Sequence, residues 1–323
     1  MDHHRDQTIN GLLKPADLKR LSRRIPVTWL KDAALDWGVI AATFIVLGLS
    51  RSLWLVLPAI LLIGNRQHAL ALLGHDGTHF TITYNKRLND ILNDILAWMP
   101  LGLTGDGYRN LHILHHRDLG TAHDPEIVYK GLRADQWDLP ARLKDVLTLA
   151  AGDLIGGGLI DYKIIFNYSR PTHKRTYLAL GLWHLAANGL LLSFGLWWVS
   201  LLWYVSLLTS FIMFFRLRMW IEHQGTDTTQ RLHLNWWQGP LLAPHLSWHH
   251  WEHHFWPSIP YARLPALRAL IPSVPVKTLP QLIAHFETLP EIKSGTALKA
   301  TEPPKSDLES DLADAAWSAF RKV

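Results

Sequence analysis

The chain has 323 residues, of which 48% are hydrophobic and only 18% charged, whereas ordinary soluble domains carry about 25% charge. Cysteine is absent, which excludes disulfide frameworks, thiolate zinc sites, iron–sulfur clusters and cysteine nucleophiles. A formal charge of +5 fits nucleic acid, anionic lipid or the loop bias of a membrane protein, and 19 histidines point toward metal, because imidazole is the commonest metal ligand.

Residues 1–32 are polar and basic, with Lys14, Lys19, Arg20, Arg23, Arg24 and Lys31, and they lack the apolar core of a cleavable signal. Ala33 to Leu49 is almost uniformly apolar, Arg51 interrupts, and Leu53 to Gly64 resumes before the polar run Asn65-Arg66-Gln67-His68. Those four side chains must face protein or water, since each is costly against lipid. Tyr177 to Phe215 is a longer apolar run. A crossing helix needs about 20 apolar residues, so this run predicts two spans with a turn near Ser193–Gly195. The earlier stretch predicts a hairpin turning at Ser50–Ser52 or, alternatively, one tilted span.

The expected fold is therefore an all-α integral membrane protein with about four transmembrane helices in two hairpins and a helical cytoplasmic cap. The spans are placed at about 33–50, 52–73, 176–194 and 196–216 within a membrane domain of residues 33–290. Lys and Arg are dense before Ala33, between the hairpins and after Phe215, which orients both termini and the central segment to the cytoplasm. The half-apolar stretches Ile91–Leu103 and Leu143–Ile165 predict interfacial or re-entrant helices, the second being broken by Asp153, Gly156-Gly157-Gly158, Asp161 and Lys163. Residues 291–323 turn to Lys, Glu, Ser, Thr and Pro and predict a disordered tail with a short amphipathic helix at Asp307–Arg321. Neither a P-loop nor a dinucleotide fingerprint is present, and the basic balance reads as membrane orientation with no nucleic-acid partner.

Three histidine clusters stand out: His75-Asp-Gly-Thr-His79, His112-Ile-Leu-His115-His116 and His250-Trp-Glu-His253-His254. On a helix, positions i, i+3 and i+4 share a face, so each cluster directs imidazoles to one side. At this histidine frequency the chain should hold roughly 0.07 windows of the HxxHH kind by chance, and it holds two. All three clusters fall on the cytoplasmic side of the predicted topology, with His223 beyond the last apolar run as a fourth contributor. Nine imidazoles exceed the four ligands of a structural zinc or the three of a catalytic one, and two metal ions are the natural count. Spacing alone does not choose the metal, since imidazole suits zinc, copper and iron.

Other histidines are less specific. His249 adjoins the third cluster but points about 100° away from His250 and reads as a supporting or substrate-wall residue. His68 lies two turns before His75 and either supports it or makes an ordinary polar contact. His184 lies inside a predicted span, where a hydrogen bond to a neighbouring helix accounts for it as well as a functional role does. Acids near the clusters that can fix a ligand's second N–H are Asp76, Asp118, Asp124, Glu222 and Glu252, each equally readable as an ordinary surface charge.

The order HDGTH, HILHH, HWEHH, with a hydrophobic hairpin between the second and third, resembles the membrane fatty acid desaturase superfamily. So do the continuation Phe255-Trp-Pro-Ser-Ile-Pro-Tyr-Ala-Arg-Leu-Pro265 and the acidic Asp124-Pro125-Glu126 after the second box. The resemblance implies a non-haem site with two iron ions that uses O2 and two electrons to attack an unactivated C–H bond. Position by position, it implies His75, His79, His112, His115, His116, His223, His250, His253 and His254 as ligands. Some members carry an asparagine one turn before the histidine that follows the last span; Met219 stands there in this chain.

The implied activity is fatty acyl desaturation, on an acyl-lipid or acyl-CoA. The alternative within the superfamily is a carotenoid hydroxylase or ketolase, and outside it a histidine-rich membrane metal-binding protein. A substrate tunnel lined from the spans and Trp248, Trp251 and Trp256 is one expectation, interfacial anchoring by these tryptophans the other. No haem or rubredoxin-like module is present, so electrons are expected from an external donor of ferredoxin, rubredoxin or cytochrome type. Its expected dock is the basic face at Lys86, Arg87, Arg109 and Arg117.

Overall fold

The structure is a computed structural model and describes residues 12–133, 136–226 and 228–291. After a short helix α1 (Pro15–Leu21), Pro26 opens α2 (Pro26–Ser50), its missing N–H falling where a helix needs none. Helix α2 ends because Arg51 takes a left-handed conformation, φ 51°, with its N–H returned to Leu47 O at 3.0 Å. A 3-10 turn at Leu53–Leu55 leads into α3 (Val56–Thr78), which runs back along α2. Two separate helices therefore replace the alternative of one tilted span. Helix α2 begins seven residues before the predicted span start at 33. Acids inside it are paired: Asp36 with Arg66 at 3.0 Å and His245 at 2.7 Å, and Asp32 with the Tyr261 hydroxyl.

The polar run in α3 is absorbed by protein. Asn65 Nδ2 donates to Leu241 O at 2.9 Å, and Gln67 Nε2 donates to Trp203 O at 3.0 Å. Helix α3 continues past residue 73 to Thr78, carrying the first histidine cluster at its end.

Five helices follow: α4 (Lys86–Asn93), α5 (Gly105–Asp118), α6 (Pro125–Leu132), α7 (Leu143–Leu154) and α8 (Leu159–Tyr168). The glycine triplet separates α7 from α8, with Gly156 at φ 97°. Asp153 and Asp161, which break the hydrophobic pattern in the sequence, are the attachment points of this region. Both meet the buried guanidinium of Arg216 at 2.7 Å, and Asp161 also accepts from the Tyr129 hydroxyl at 2.7 Å.

Helices α9 (Lys174–Ser193) and α10 (Trp197–Leu208) turn at Gly195, φ 71°, and α11 (Ser210–His223) continues α10 after a break at Thr209. Among the described residues, three helical segments are long and apolar enough to cross a membrane: Pro26–Ser50, Leu53–Thr78 and Trp197–His223. Helix α9, the expected third span, is not one of them; His184 and Asn188 interrupt its apolar sequence. Both are tied to the Tyr204 hydroxyl, at 2.9 and 2.8 Å, while Leu178, Leu182, Leu185, Leu190 and Leu192 point outward.

The remaining elements are α12 (Gln238–Leu242), α13 (His250–Phe255), α14 (Leu264–Leu270) and α15 (Leu279–Thr288). A two-residue parallel strand pair, β1 (Leu232–His233) with β2 (Lys277–Thr278), joins them. The first eleven residues of the basic segment, and the expected tail with its Asp307–Arg321 helix, lie outside the described residues.

Candidate metal centre

Four elements bring the histidines together. Helix α3 delivers His75 in its last turn and His79 at its C-cap. Its end is fixed by side chains that add a second donor to carbonyls of its last two turns: Trp29 Nε1 donates to Leu73 O at 3.1 Å, Asn93 Nδ2 to Gly74 O at 3.0 Å and Asn89 Nδ2 to Gly77 O at 2.8 Å. The glycine of HDGTH is required by this approach, because a Cβ on Gly77 would lie 2.6 Å from Asn93. Helix α5 starts at the Thr104 cap, with Gly105 N–H donating to Asp94 at 2.6 Å, and presents His112, His115 and His116.

Helix α11 ends on His223, and the short α13 carries His250, His253 and His254. The chain enters α13 through His245 and Leu246, both left-handed at φ 54° and 59°, a costly conformation held in part by the His245–Asp36 bond.

The side chains converge in two groups. Nitrogens of His75, His79, His112 and His253 all lie within 4.8 Å of one another, as do those of His115, His223, His250 and His254. Within the groups, Nε2 of His79 and His112 approach to 2.9 Å, of His223 and His250 to 2.8 Å, and of His250 and His254 to 3.0 Å. His116 belongs to neither group. Its Nε2 is 2.9 Å from that of His112 and its ring stacks 4.3 Å from His254, so it stands between them. Rings of His75 and His250 are 5.9 Å apart, making the groups neighbours.

Burial, and after it the charges of neighbouring groups, holds six of these imidazoles neutral. His79 is pushed down to about 3 and His116 to about 2, and His112, His250, His253 and His254 lie well below the ordinary value of 6.5. Neutral imidazoles offer lone pairs, and crowding them together without a shared partner is unfavourable. Nε2 of His75 and Nε2 of His253 are fully buried with no hydrogen-bond partner among the described residues. An orphaned buried acceptor of this kind asks for an explanation, and a cation at the centre of each group supplies it. The donor set, all imidazole with carboxylates nearby, fits two transition-metal ions.

The supporting acids sort differently from their sequence neighbourhood. Asp124 lies against His115, which donates from Nδ1 to Oδ1 at 2.7 Å, and the same carboxylate caps α6 through Glu126 N–H at 2.8 Å. Glu222 lies 3.5 Å from His250 Nε2 and is held by Arg218 at 2.8 Å. The other candidates turn elsewhere. Asp76 accepts from Tyr261 N–H at 2.9 Å and from the Thr81 hydroxyl, Asp118 pairs with Arg117, and Glu252 is held by Arg231 and Arg268. His249 donates to Leu246 O at 2.9 Å. Glu126 follows Asp124-Pro125 in the sequence and has no histidine beside it there. It reaches His223 at 3.6 Å and His115 at 4.0 Å and is paired with Lys130 at 2.8 Å.

A cavity of about 140 Å³ opens on both groups, touching His75, His112, His115, His223 and His250. Its remaining wall is largely apolar and includes Leu72, Leu103, Phe211, Phe215 and Met219, with the rings of Trp98 and Tyr108 tilted against each other 4.3 Å apart. None of Trp248, Trp251 and Trp256 lines it; Trp251 and Trp256 are packed in a core with Ile259 and Leu264, so the expected tryptophan-lined tunnel is replaced by one walled from α3, α5, α8 and α11.

This constellation is a histidine-rich candidate metal centre beside apolar helices. The sequence matches the model of the fatty acid desaturase family over residues 52–283, and the chain belongs to that family. It is similar to the dihydrorhizobitoxine desaturase of Bradyrhizobium elkanii, with 27% identity over 263 residues that cover 71% of this chain and 70% of that protein.

Proposed function

We propose that the protein is an O2-dependent di-iron oxidoreductase of the membrane that introduces a carbon–carbon double bond into an aliphatic substrate, with acyl-lipids and acyl-CoA as the leading class. The observation that carries this is the pair of four-nitrogen groups facing one apolar cavity. One iron would be held by His75, His79, His112 and His253, the other by His115, His223, His250 and His254, with His116 between them. Bound iron supplies the oxidising power, drawn from O2, that removes hydrogen from an unactivated C–H bond.

The chain's own residues do the rest. The wall of Leu72, Leu103, Phe211 and Phe215 excludes water and holds a methylene segment against the metal groups. Asp124 fixes the tautomer and orientation of His115, leaving its Nε2 for metal. Buried neutral imidazoles keep their lone pairs free of protons at working pH.

Four spans with both termini cytoplasmic remain the reading supported by the distribution of Lys and Arg, α9 being the fourth. Electrons come from an external donor of ferredoxin, rubredoxin or cytochrome type, docking near Lys86, Arg87 and Arg117. Arg109 is spent internally on Asp90 and Thr78 O, at 2.5 and 2.9 Å. Desaturation is favoured over carotenoid hydroxylation or ketolation because the relative is named a desaturase.

The test is expression in a bacterial membrane with profiling of acyl chains and carotenoids, with and without O2. Wild type should yield oxygen-dependent double bonds that His115→Ala does not. Hydroxylated or ketolated rings would move the assignment to the alternative, and unchanged products with His115→Ala would refute the metal assignment.

A further inference from the structure

His68 is left over from this account. It sits on α3 seven residues before His75, on nearly the same helix face and about 10 Å along the axis from it. It is 1% exposed and lines the cavity, yet neither Nδ1 nor Nε2 has a hydrogen-bond partner among the described residues. The ring stacks on Phe214 at 6.5 Å, a packing role that leucine or phenylalanine fills without burying two polar atoms. It takes no part in either metal group. Its three sequence neighbours, by contrast, each spend a side-chain donor on protein: Asn65 on Leu241 O, Arg66 on Asp36 and Gln67 on Trp203 O.

We propose that His68 is a substrate-recognition residue whose imidazole hydrogen-bonds an uncharged oxygen function, a hydroxyl, ether or carbonyl, carried by the substrate about 10 Å from the metal groups. A neutral imidazole has one donor and one acceptor nitrogen, which suits such a group. A carboxylate suits it less. The cation on the cavity wall, Arg218, is already answered by Glu222 at 2.8 Å. The substrate is then an amphiphile with an oxygen set back from the reacting carbon, and a pure hydrocarbon segment leaves His68 unpaired. This rests on the cavity being the substrate site of the proposed oxidation and narrows its substrate class.

The test measures binding to purified, metal-free full-length protein by quenching of tryptophan fluorescence, so it does not depend on turnover. Decane and 1-decanol serve as the probes, each corrected for its partition into detergent. Wild type should bind 1-decanol about tenfold more tightly than decane, the scale of one buried hydrogen bond. His68→Leu should lose that preference while binding decane at least as well, and His68→Gln should restore part of it. Equal preference in wild type and His68→Leu, or no preference in wild type, would overturn the proposal. Metal content of the loaded variants, expected to match wild type, shows that the site has folded. Absence of oxidised lipid from wild-type membranes would count against the function alone, because the binding comparison is read without metal.

Discussion

The most informative perturbation is at Asp124, whose two oxygens do different work. Oδ1 accepts from His115 Nδ1 at 2.7 Å and from Glu126 N–H at 2.8 Å, whereas Oδ2 accepts from Gly120 N–H at 3.0 Å. Asp124→Ala removes a helix cap worth about 1 kcal/mol together with the partner that orients a metal-binding imidazole, a loss of about 10- to 100-fold in metal affinity. Asp124→Asn separates the two effects. Its carbonyl oxygen still caps α6, since Asn and Asp are equivalent there, but its amide N–H₂ faces the Gly120 N–H and the negative charge beside His115 is gone. Metal-free Asp124→Asn should therefore keep its cap but lose about 1–3 kcal/mol for the Gly120 N–H left facing another donor, while its metal is lost to a competing chelator at about 10-fold lower chelator concentration or less. Chelator competition read by metal analysis, paired with thermal unfolding of the metal-free protein, measures both. Wild-type affinity in Asp124→Asn would refute the reasoning that His115 is a ligand oriented by this carboxylate.

Two further outcomes follow from buried charge. Arg216→Met leaves the buried Asp153 without its cation and takes one of two from Asp161, so stability should fall by about 3–5 kcal/mol; the double variant with Asp153→Asn should recover part of the loss in thermal unfolding. His79 titrates near 3 when folded and near 6.5 when unfolded, so below pH 6.5 the unfolded chain takes up a proton that the folded one refuses. Each such imidazole should cost the metal-free protein about 1.4 kcal/mol per pH unit as pH falls from 6.5 toward 3, and Asp94, its carboxyl pushed up to about 6 by burial, offsets part of this between about pH 6 and 4. A flat unfolding profile between pH 6.5 and 4.5 would contradict this.

Much of this was legible in the sequence because helical spacing is local. The i, i+3, i+4 pattern places His112, His115 and His116 on one face of α5 without knowledge of the fold, and the apolar runs place α2, α3 and α10–α11. How nine histidines divide was not legible, since His253 joins the first cluster and His254 the second only after α13 docks against α3, α5 and α11. Closeness in sequence alone does not single out the supporting acids. A neighbour at i±1 on a helix points about 100° away, so Asp76 and Glu252 face Tyr261 and the arginines behind the site. Asp124, nine residues from His115, returns to it through a turn. Acids set within apolar stretches are tertiary partners: Asp36 with Arg66, and Asp153 with Arg216. His68 has a weak signal in the sequence, one member of the polar run Asn65-Arg66-Gln67-His68, and its empty hydrogen-bonding positions beside the cavity distinguish it.

On the proposed function the eight converging nitrogens hold two metal ions. Metal analysis of protein purified from membranes tests it most directly, with His253→Ala and His254→Ala prepared alongside. Wild type should contain two iron ions per chain, and each variant should fall toward one because each breaks a different group. A single zinc in the wild type, or two irons retained in both variants, would contradict it.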